Sequence, residues 1–239
     1  MPLPKIATPS YELVVPSTKK KIKYRPFLVK EEKVLIIAME SQDNKQIANA
    51  IKDVLSACIL SKGVKVNDLS TFDIEFLFLN IRGKSVGEEV EVMVTCPDDG
   101  ETQVPTTINL DDIKVNINDD HTPDIKLDDQ YTLRMKYPSM EEFIKTNFSM
   151  DGDVNVDDTF KLIASCVEQV YSEEESWAGA DCTKKELSDF VESLNSKQFK
   201  SIERFFDTMP KLSHTVKVTN PKTKKENEIV LEGLQSFFA

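Results

Sequence analysis

Thr71-Phe72-Asp73-Ile74-Glu75-Phe76-Leu77-Phe78-Leu79-Asn80-Ile81-Arg82 is the stretch on which the fold class turns. It can be a helix capped at Ser70 or Thr71, or a buried strand. The run holds no turn residue and has Glu, Leu and Asn in its interior, which favours the helix. Apolar side chains nearly encircle it, so the helix is expected to be buried on most sides. Upstream, Val29, Lys33, Ile36, Ile37 and Glu40, with Leu35 and Ala38 between them, fit an amphipathic helix starting at Leu28. A second helix starts from Asn44 and carries Ile47, Ala48, Ile51, Val54, Leu55, Cys58 and Ile59 on one stripe. Gly63 is its expected stop.

Downstream the period changes to two. Glu89 to Thr95 alternates around Val90, Val92 and Val94, Cys96-Pro97-Asp98-Asp99-Gly100 is a turn, and Gln103 to Leu110 returns as a hairpin. Ile113 to Ile117 and Ile125 to Tyr137 read as further strands. After Pro138 helical spacing resumes at Met140 to Phe148, Asp158 to Val170, Lys184 to Leu194 and Lys197 to Met209. Thr183 and Glu186 have the spacing of a capping box. Val216 to Val218 and Glu228 to Leu231 form a closing hairpin. Before all of this, Pro2, Pro4, Pro9 and Pro16 mark residues 1–22 as an extended arm outside the core, with short edge strands possible at Glu12 to Val15 and Lys20 to Phe27. The expected architecture is α+β. Residues 23–138 hold the helix pair and antiparallel hairpins, and residues 139–239 are mainly helical, closed by the C-terminal hairpin.

Composition narrows the function. The chain has 239 residues, and thirty Lys and Arg against forty-one Asp and Glu leave a net charge of −11. That balance argues against general nucleic-acid binding, which depends on neutralising phosphates. The longest strongly apolar run, Val34 to Met39, is six residues, whereas a membrane helix needs about twenty. No signal-peptide pattern opens the sequence, so the expectation is a protein that stays in the cytoplasm where it is made. Cys58, Cys96, Cys166 and Cys182 are widely spaced, with no Cys-x-x-Cys pair, and read as reduced, partly buried side chains.

The chemical constellations are weak. Val92-Met93-Val94-Thr95-Cys96-Pro97 is echoed by Val216-Lys217-Val218-Thr219-Asn220-Pro221, and two such knuckles are what a zinc ribbon needs. Only Cys96 is a ligand, however. Asp99 and Thr223 stand where the second cysteines belong, and a structural zinc site wants four thiolate or imidazole ligands. Asp151, Asp153, Asn155 and Asp157 have the spacing of a calcium loop, but Val156 replaces the bending glycine and Leu162 the bidentate Glu. His121 and His214 belong to no catalytic motif. The pairs Asp111-Asp112 and Asp128-Asp129 read as solvated charges on opposite sides of strands. Lys19, Lys20, Lys21, Lys23 and Arg25 form a local basic segment, either protecting an edge strand or steering an acidic partner. Phe237 and Phe238 read either as core side chains or as an anchor for a partner's groove.

Four stretches read together resemble one family. They are Tyr24-Arg-Pro-Phe-Leu-Val-Lys-Glu-Glu-Lys-Val-Leu, Phe72-Asp-Ile-Glu-Phe-Leu-Phe-Leu-Asn-Ile-Arg-Gly-Lys-Ser-Val-Gly-Glu-Glu, Met135-Lys-Tyr-Pro-Ser and Leu231-Glu-Gly-Leu-Gln-Ser-Phe-Phe. Together they are similar to the baseplate hub assembly proteins of T4-like contractile-tailed bacteriophages, from about Lys23 to the C-terminus. The arm upstream falls outside the likeness. Some members of that family carry cysteine knuckles where this chain has Cys96-Pro-Asp-Asp-Gly and Asn220-Pro-Lys-Thr-Lys, a departure that speaks against an inherited metal site. The resemblance implies a non-catalytic protein without cofactor or metal, acting on other baseplate hub or hub-assembly proteins in the host cytoplasm, or retained in the virion tail. Neither nucleic acid nor membrane is an expected partner. The residues expected to make the contacts are Tyr24, Arg25 and Phe27 at the arm junction, Lys84, Ser85 and Glu88 after the apolar helix, and Phe237 and Phe238. The rival readings are a permanent structural subunit of the hub and, in another class, a tail-associated hydrolytic or metal-dependent enzyme.

Overall fold

The computed structural model describes residues 6–140, 156–233 and 236. Among them are six α-helices and eleven strands in small antiparallel sheets, an α+β fold. Contacts divide the chain into two units: Met1–Val66, Phe72–Asn116 and Lys211–Ala239 form the first, and Asn67–Thr71 with Ile117–Pro210 the second.

The first unit opens with strands β1 (Tyr11–Val14) and β2 (Lys21–Tyr24), paired antiparallel from Tyr11↔Tyr24 to Val14↔Lys21. The supposed arm is therefore built into the fold. Val15 and Ile22 are 1% and 2% exposed. Ser17, in the connecting turn, donates its backbone N–H and its hydroxyl to the buried Asp73 carboxylate. Prolines 9 and 16 fall outside the paired positions, which is why they do not prevent the hairpin. Lys21 and Lys23 alternate with the buried Ile22 and Tyr24, and they and Lys20 remain exposed.

Helices α1 (Val29–Glu40) and α2 (Asn44–Cys58) pack together. The Asp43 carboxylate caps α2 by accepting from the N–H groups of Lys45 and Gln46 at 2.8 and 3.2 Å. Ala48, Ile51, Val54, Leu55 and Cys58 bury its expected stripe. The stop expected near Gly63 comes at Cys58 instead, because the next residues pair with β2: Ile59 bridges Tyr24, and the Leu60 N–H donates to Lys23 at 2.8 Å. Helix α3 (Thr71–Val86) is the predicted one, with Phe72, Ile74, Leu77, Phe78, Leu79 and Ile81 all buried.

Strands β3 (Glu89–Thr95) and β4 (Gln103–Asn109) form the predicted hairpin. Its inner residues Val90, Val92 and Val94 pack in one core with Leu79, Leu212, Val216 and Val218. The last three belong to β10 (Lys211–Thr219), which pairs antiparallel with β11 (Glu226–Glu232) on one side and β5 (Lys114–Asn116) on the other. The C-terminal hairpin thus completes the first unit and does not close the helical half.

The second unit is also less helical than its spacing suggests. Strands β6 (Asp124–Lys126), β7 (Thr132–Met135), β8 (Val167–Tyr171) and β9 (Ser176–Ala178) form a four-stranded antiparallel sheet in that order. Helices α4 (Val156–Ser165), α5 (Lys184–Glu192) and α6 (Ser196–Thr208) supply Ile163, Val191, Ile202 and Phe205 to its core, alongside Ile125, Leu133 and Val167. The helix expected to run to Val170 ends at Ser165, and Val167 to Tyr171 pair with β7 instead. The Thr183–Glu186 capping box at the start of α5 is present. The helix expected over Met140 to Phe148 and most of the acidic loop 151–157 lie outside the described residues.

Candidate docking surface

Helix α1 presents the most exposed apolar face in the described chain. Val29, Val34, Ile36, Ile37 and Met39 are 79%, 43%, 50%, 54% and 51% exposed. Only Glu31 and Ala38 of this helix are buried, so the Val29–Ile36–Ile37 stripe of the amphipathic helix points to solvent. Soluble chains seldom leave this many large aliphatic side chains together in water unless something covers them.

The helix is held in place by a compact polar joint. The Glu31 carboxylate accepts the Leu28 N–H at 2.8 Å, serving one of the amides at the helix start, and the Arg25 guanidinium at 2.9 Å, with Lys30 at 3.3 Å. Burial alone would raise the Glu31 carboxyl; the Arg25 and Leu28 donors outweigh it and keep the group below its ordinary range. Arg25 also donates to the Pro26 carbonyl at 2.8 Å. The Phe27 N–H donates to the Ser85 hydroxyl at 2.9 Å, and Ser85 in turn donates to the Ile81 carbonyl, tying the start of α1 to the end of α3.

The residues expected to make contacts therefore divide by role. Tyr24 is 2% exposed with its ring 5.8 Å from that of Tyr11, and burial raises its phenol above the ordinary value. It is a buried side chain of the β1–β2 hairpin and is not itself exposed for contact. Arg25, Phe27 and Ser85 come together in the joint just described. Lys84 pairs with Glu88 one turn on and lies 3.5 Å from Asp111, forming a half-buried charged edge. Phe237 and Phe238 lie outside the described residues.

A metal centre was the sharpest alternative, and the two echoed turns do share one geometry. The Cys96 and Asn220 N–H groups donate across their hairpins to Thr102 and Lys225 at 2.8 and 2.9 Å. Four residues on, the Gly100 and Lys224 N–H groups donate back to the Cys96 and Asn220 carbonyls at 2.9 Å, with φ of 69° and 62°. Where a ribbon would place an ion, this chain has hydrogen bonds. The buried Asn220 amide donates to Asp98 at 2.8 Å, and the Thr223 hydroxyl donates to the other Asp98 oxygen. The Thr223 and Asn220 donors hold the Asp98 carboxyl below its ordinary value. Asp99 is taken up by Thr102, whose N–H donates to it at 2.9 Å. One thiol, in Cys96, is too few for a structural zinc site, and no group of three His, Cys, Asp or Glu suited to a metal occurs among the described residues.

Other candidate chemistry is similarly engaged. Both ring nitrogens of His121 are hydrogen-bonded, to Thr208 at 3.0 Å and Tyr137 at 2.9 Å, and the ring packs against Phe205. Burial lowers its pKa. The Asp111-Asp112 pair lies in a short 3-10 helix and Asp128-Asp129 in a bend, not along strands as expected; Asp128 accepts the N–H groups of Gln130 and Tyr131 at 2.8 and 2.7 Å. Cys58 is buried, and desolvation pushes its thiol up to about 11. No helix of the described chain is long and apolar enough to cross a membrane.

Comparison with known proteins gives these surfaces a context. The chain is 26% identical over 234 residues to the baseplate hub assembly protein gp26 of Enterobacteria phage T4, covering 95% of this chain and 97% of that protein. No solved structure matches it. The likeness also reaches further upstream than the stretch from Lys23, taking in the β1–β2 hairpin. Described as T4 bacteriophage base plate protein and matched over residues 8–239, this is the family to which the chain belongs.

Proposed function

We propose that this protein is a non-catalytic assembly factor of the phage baseplate hub, binding hub subunits in the host cytoplasm while the virion is built. The observation that carries the reading is the uncovered aliphatic face of α1, set on a rigid polar joint. A surface of this kind supplies affinity by burying apolar area, while charges such as Lys84 and Glu88 at a rim supply orientation. The name of the T4 relative supports the same role. Arg25, Phe27 and Ser85 act in this proposal by positioning α1, with Phe237 and Phe238 as a further anchor.

Two measurements test it. A photo-crosslinker in place of Ile37 should capture a hub component in infected cells, and mass spectrometry of purified virions should find this chain absent or far below stoichiometric copy number. Full retention in the virion would make it a structural subunit instead. Peptidoglycan release by the purified protein would overturn the non-catalytic reading.

A further inference from the structure

The second unit carries a half-open groove of about 490 Å³ that the docking reading above does not use. Val167 and Val170 of β8, Trp177 of β9, Leu187 and Phe190 of α5, and Leu194 beyond it form most of its apolar lining. One glycine makes the shape possible. Gly179 follows β9 where the chain runs so close to β8 that a Cβ would lie 2.4 Å from the Val167 carbonyl oxygen. Only a residue without a side chain fits there. Trp177, two residues earlier, is 42% exposed, with its ring 6.1 Å from that of Tyr131, which is 37% exposed. Large aromatics at the edge of an apolar cleft are characteristic anchors for a bound partner.

Charge identifies the kind of partner. Residues 117–210 contain twenty-one Asp and Glu against ten Lys and Arg, a net −11, whereas the rest of the chain balances twenty against twenty. The protein's whole acidic excess therefore resides in the unit that holds the groove. Among the described residues, the charged ones lining the groove are Asp128 and Glu186, with no Lys or Arg. Both carboxylates are already hydrogen-bond acceptors, Asp128 for the Tyr131 and Gln130 N–H groups and Glu186 for the Thr183 N–H, and these bonds hold both below the ordinary carboxylate range. Glu173, Glu174 and Glu175, just before β9, are exposed as well.

We propose that the groove receives a basic segment of a partner protein, whose aliphatic or aromatic side chains fill the cleft while its Lys or Arg residues meet the acidic rim. Apolar burial holds the segment, and the field of this unit speeds its arrival and rejects acidic competitors. The inference shares with the assembly-factor reading only the premise of a protein partner, and it does not depend on α1.

Trp177 is the chain's one tryptophan, so its emission reports on the groove alone. The full-length protein should be titrated with a Trp-free amphipathic peptide of Lys, Leu and Phe, and with the same peptide carrying Glu for Lys. The basic peptide should give a saturable blue shift and the acidic one none. Asp128→Asn combined with Glu186→Gln retains the acceptor oxygens of the turn and of the capping box. It should weaken binding of the basic peptide about tenfold at low salt, the deficit shrinking as salt is added. Leu187→Lys, checked for native circular dichroism, should abolish binding. Equal binding of the two peptides, unchanged affinity in the neutralised variant, or a Trp177 response confined to a small apolar probe would each overturn the proposal. Crosslinking through Ile37 reads the α1 surface separately, so failure of one reading is distinguishable from failure of the other.

Discussion

Asn220→Ala perturbs the bond between the two echoed turns at its most buried point. Asn220 is 0% exposed. Its amide N–H donates to Asp98 at 2.8 Å, and its oxygen accepts the N–H groups of Lys222 and Thr223 at 2.8 and 3.3 Å. Three hydrogen bonds are lost, each with a net worth of about 1 kcal/mol. Lys222 and Thr223 are exposed, so water can take up their amides, and a cost of about 2 kcal/mol remains for the buried site. For a chain of this size that corresponds to a Tm lower by roughly 4–8 °C. Urea unfolding followed by circular dichroism would measure it. Asn220→Asp supplies the sign. It removes the donor and sets a second carboxylate against Asp98, so one of the pair must hold its proton to a higher pH folded than unfolded. The folded variant then binds more protons than the unfolded chain, and its stability should fall as pH rises from 4 towards 7. A loss within about 0.5 kcal/mol for Asn220→Ala, at the level of an indifferent surface substitution, would refute the claim that this network joins the turns. So would a marked fall in wild-type stability on adding a metal chelator.

Three other outcomes are expected. Ile36→Glu with Ile37→Lys should change stability by no more than about 1 kcal/mol, since both side chains are already half in water. The same pair should weaken capture of the hub partner about a hundredfold, read by crosslinking yield and by complementation of a phage lacking the protein. Glu31→Ala leaves the largely buried Arg25 guanidinium unpaired and should cost about 3 kcal/mol in an unfolding titration. Because the folded Glu31 carboxyl lies below its ordinary 4.5, its contribution is complete above that pH and disappears as pH falls through the lowered value. Finally, Asp99→Cys, Asn220→Cys and Thr223→Cys together place four cysteines on turns that already have matching backbone geometry. The variant should bind zinc, and Co²⁺ substitution should give the thiolate charge-transfer bands of a tetrahedral site; a spectrum without them would show that the turns do not face each other closely enough.

Much of the fold was legible because local and global preferences agreed. The turn-free, largely apolar stretch of α3, the Val90–Val92–Val94 alternation and the Thr183–Glu186 cap each point the same way as the final packing. The misreadings occur where pairing between distant segments overrides a local signal. Helical spacing runs past Ser165, yet Val167 to Tyr171 have a partner in β7 and become a strand. The proline-rich start read as an arm outside the core, with its possible edge strands, because Asp73, the group that fastens its turn, lies 56 positions further on. The helix period located α1 correctly but left open which of its sides is covered, since periodicity says that a stripe exists and not what lies against it.

For function the division is similar. The sequence alone determined the family likeness, the acidic balance, the incomplete ligand set at Cys96 and the identity of the two echoed turns, because each depends on which residues are present and how they are spaced. Tertiary structure decided that Asp98 and Asn220 bind each other, that the Val29–Ile37 face is open, and that Trp177 edges a groove walled by side chains from several elements. Those are contacts and exposures between segments far apart in the chain, and they exist only once the hydrophobic core has fixed which surfaces are covered and which remain in water.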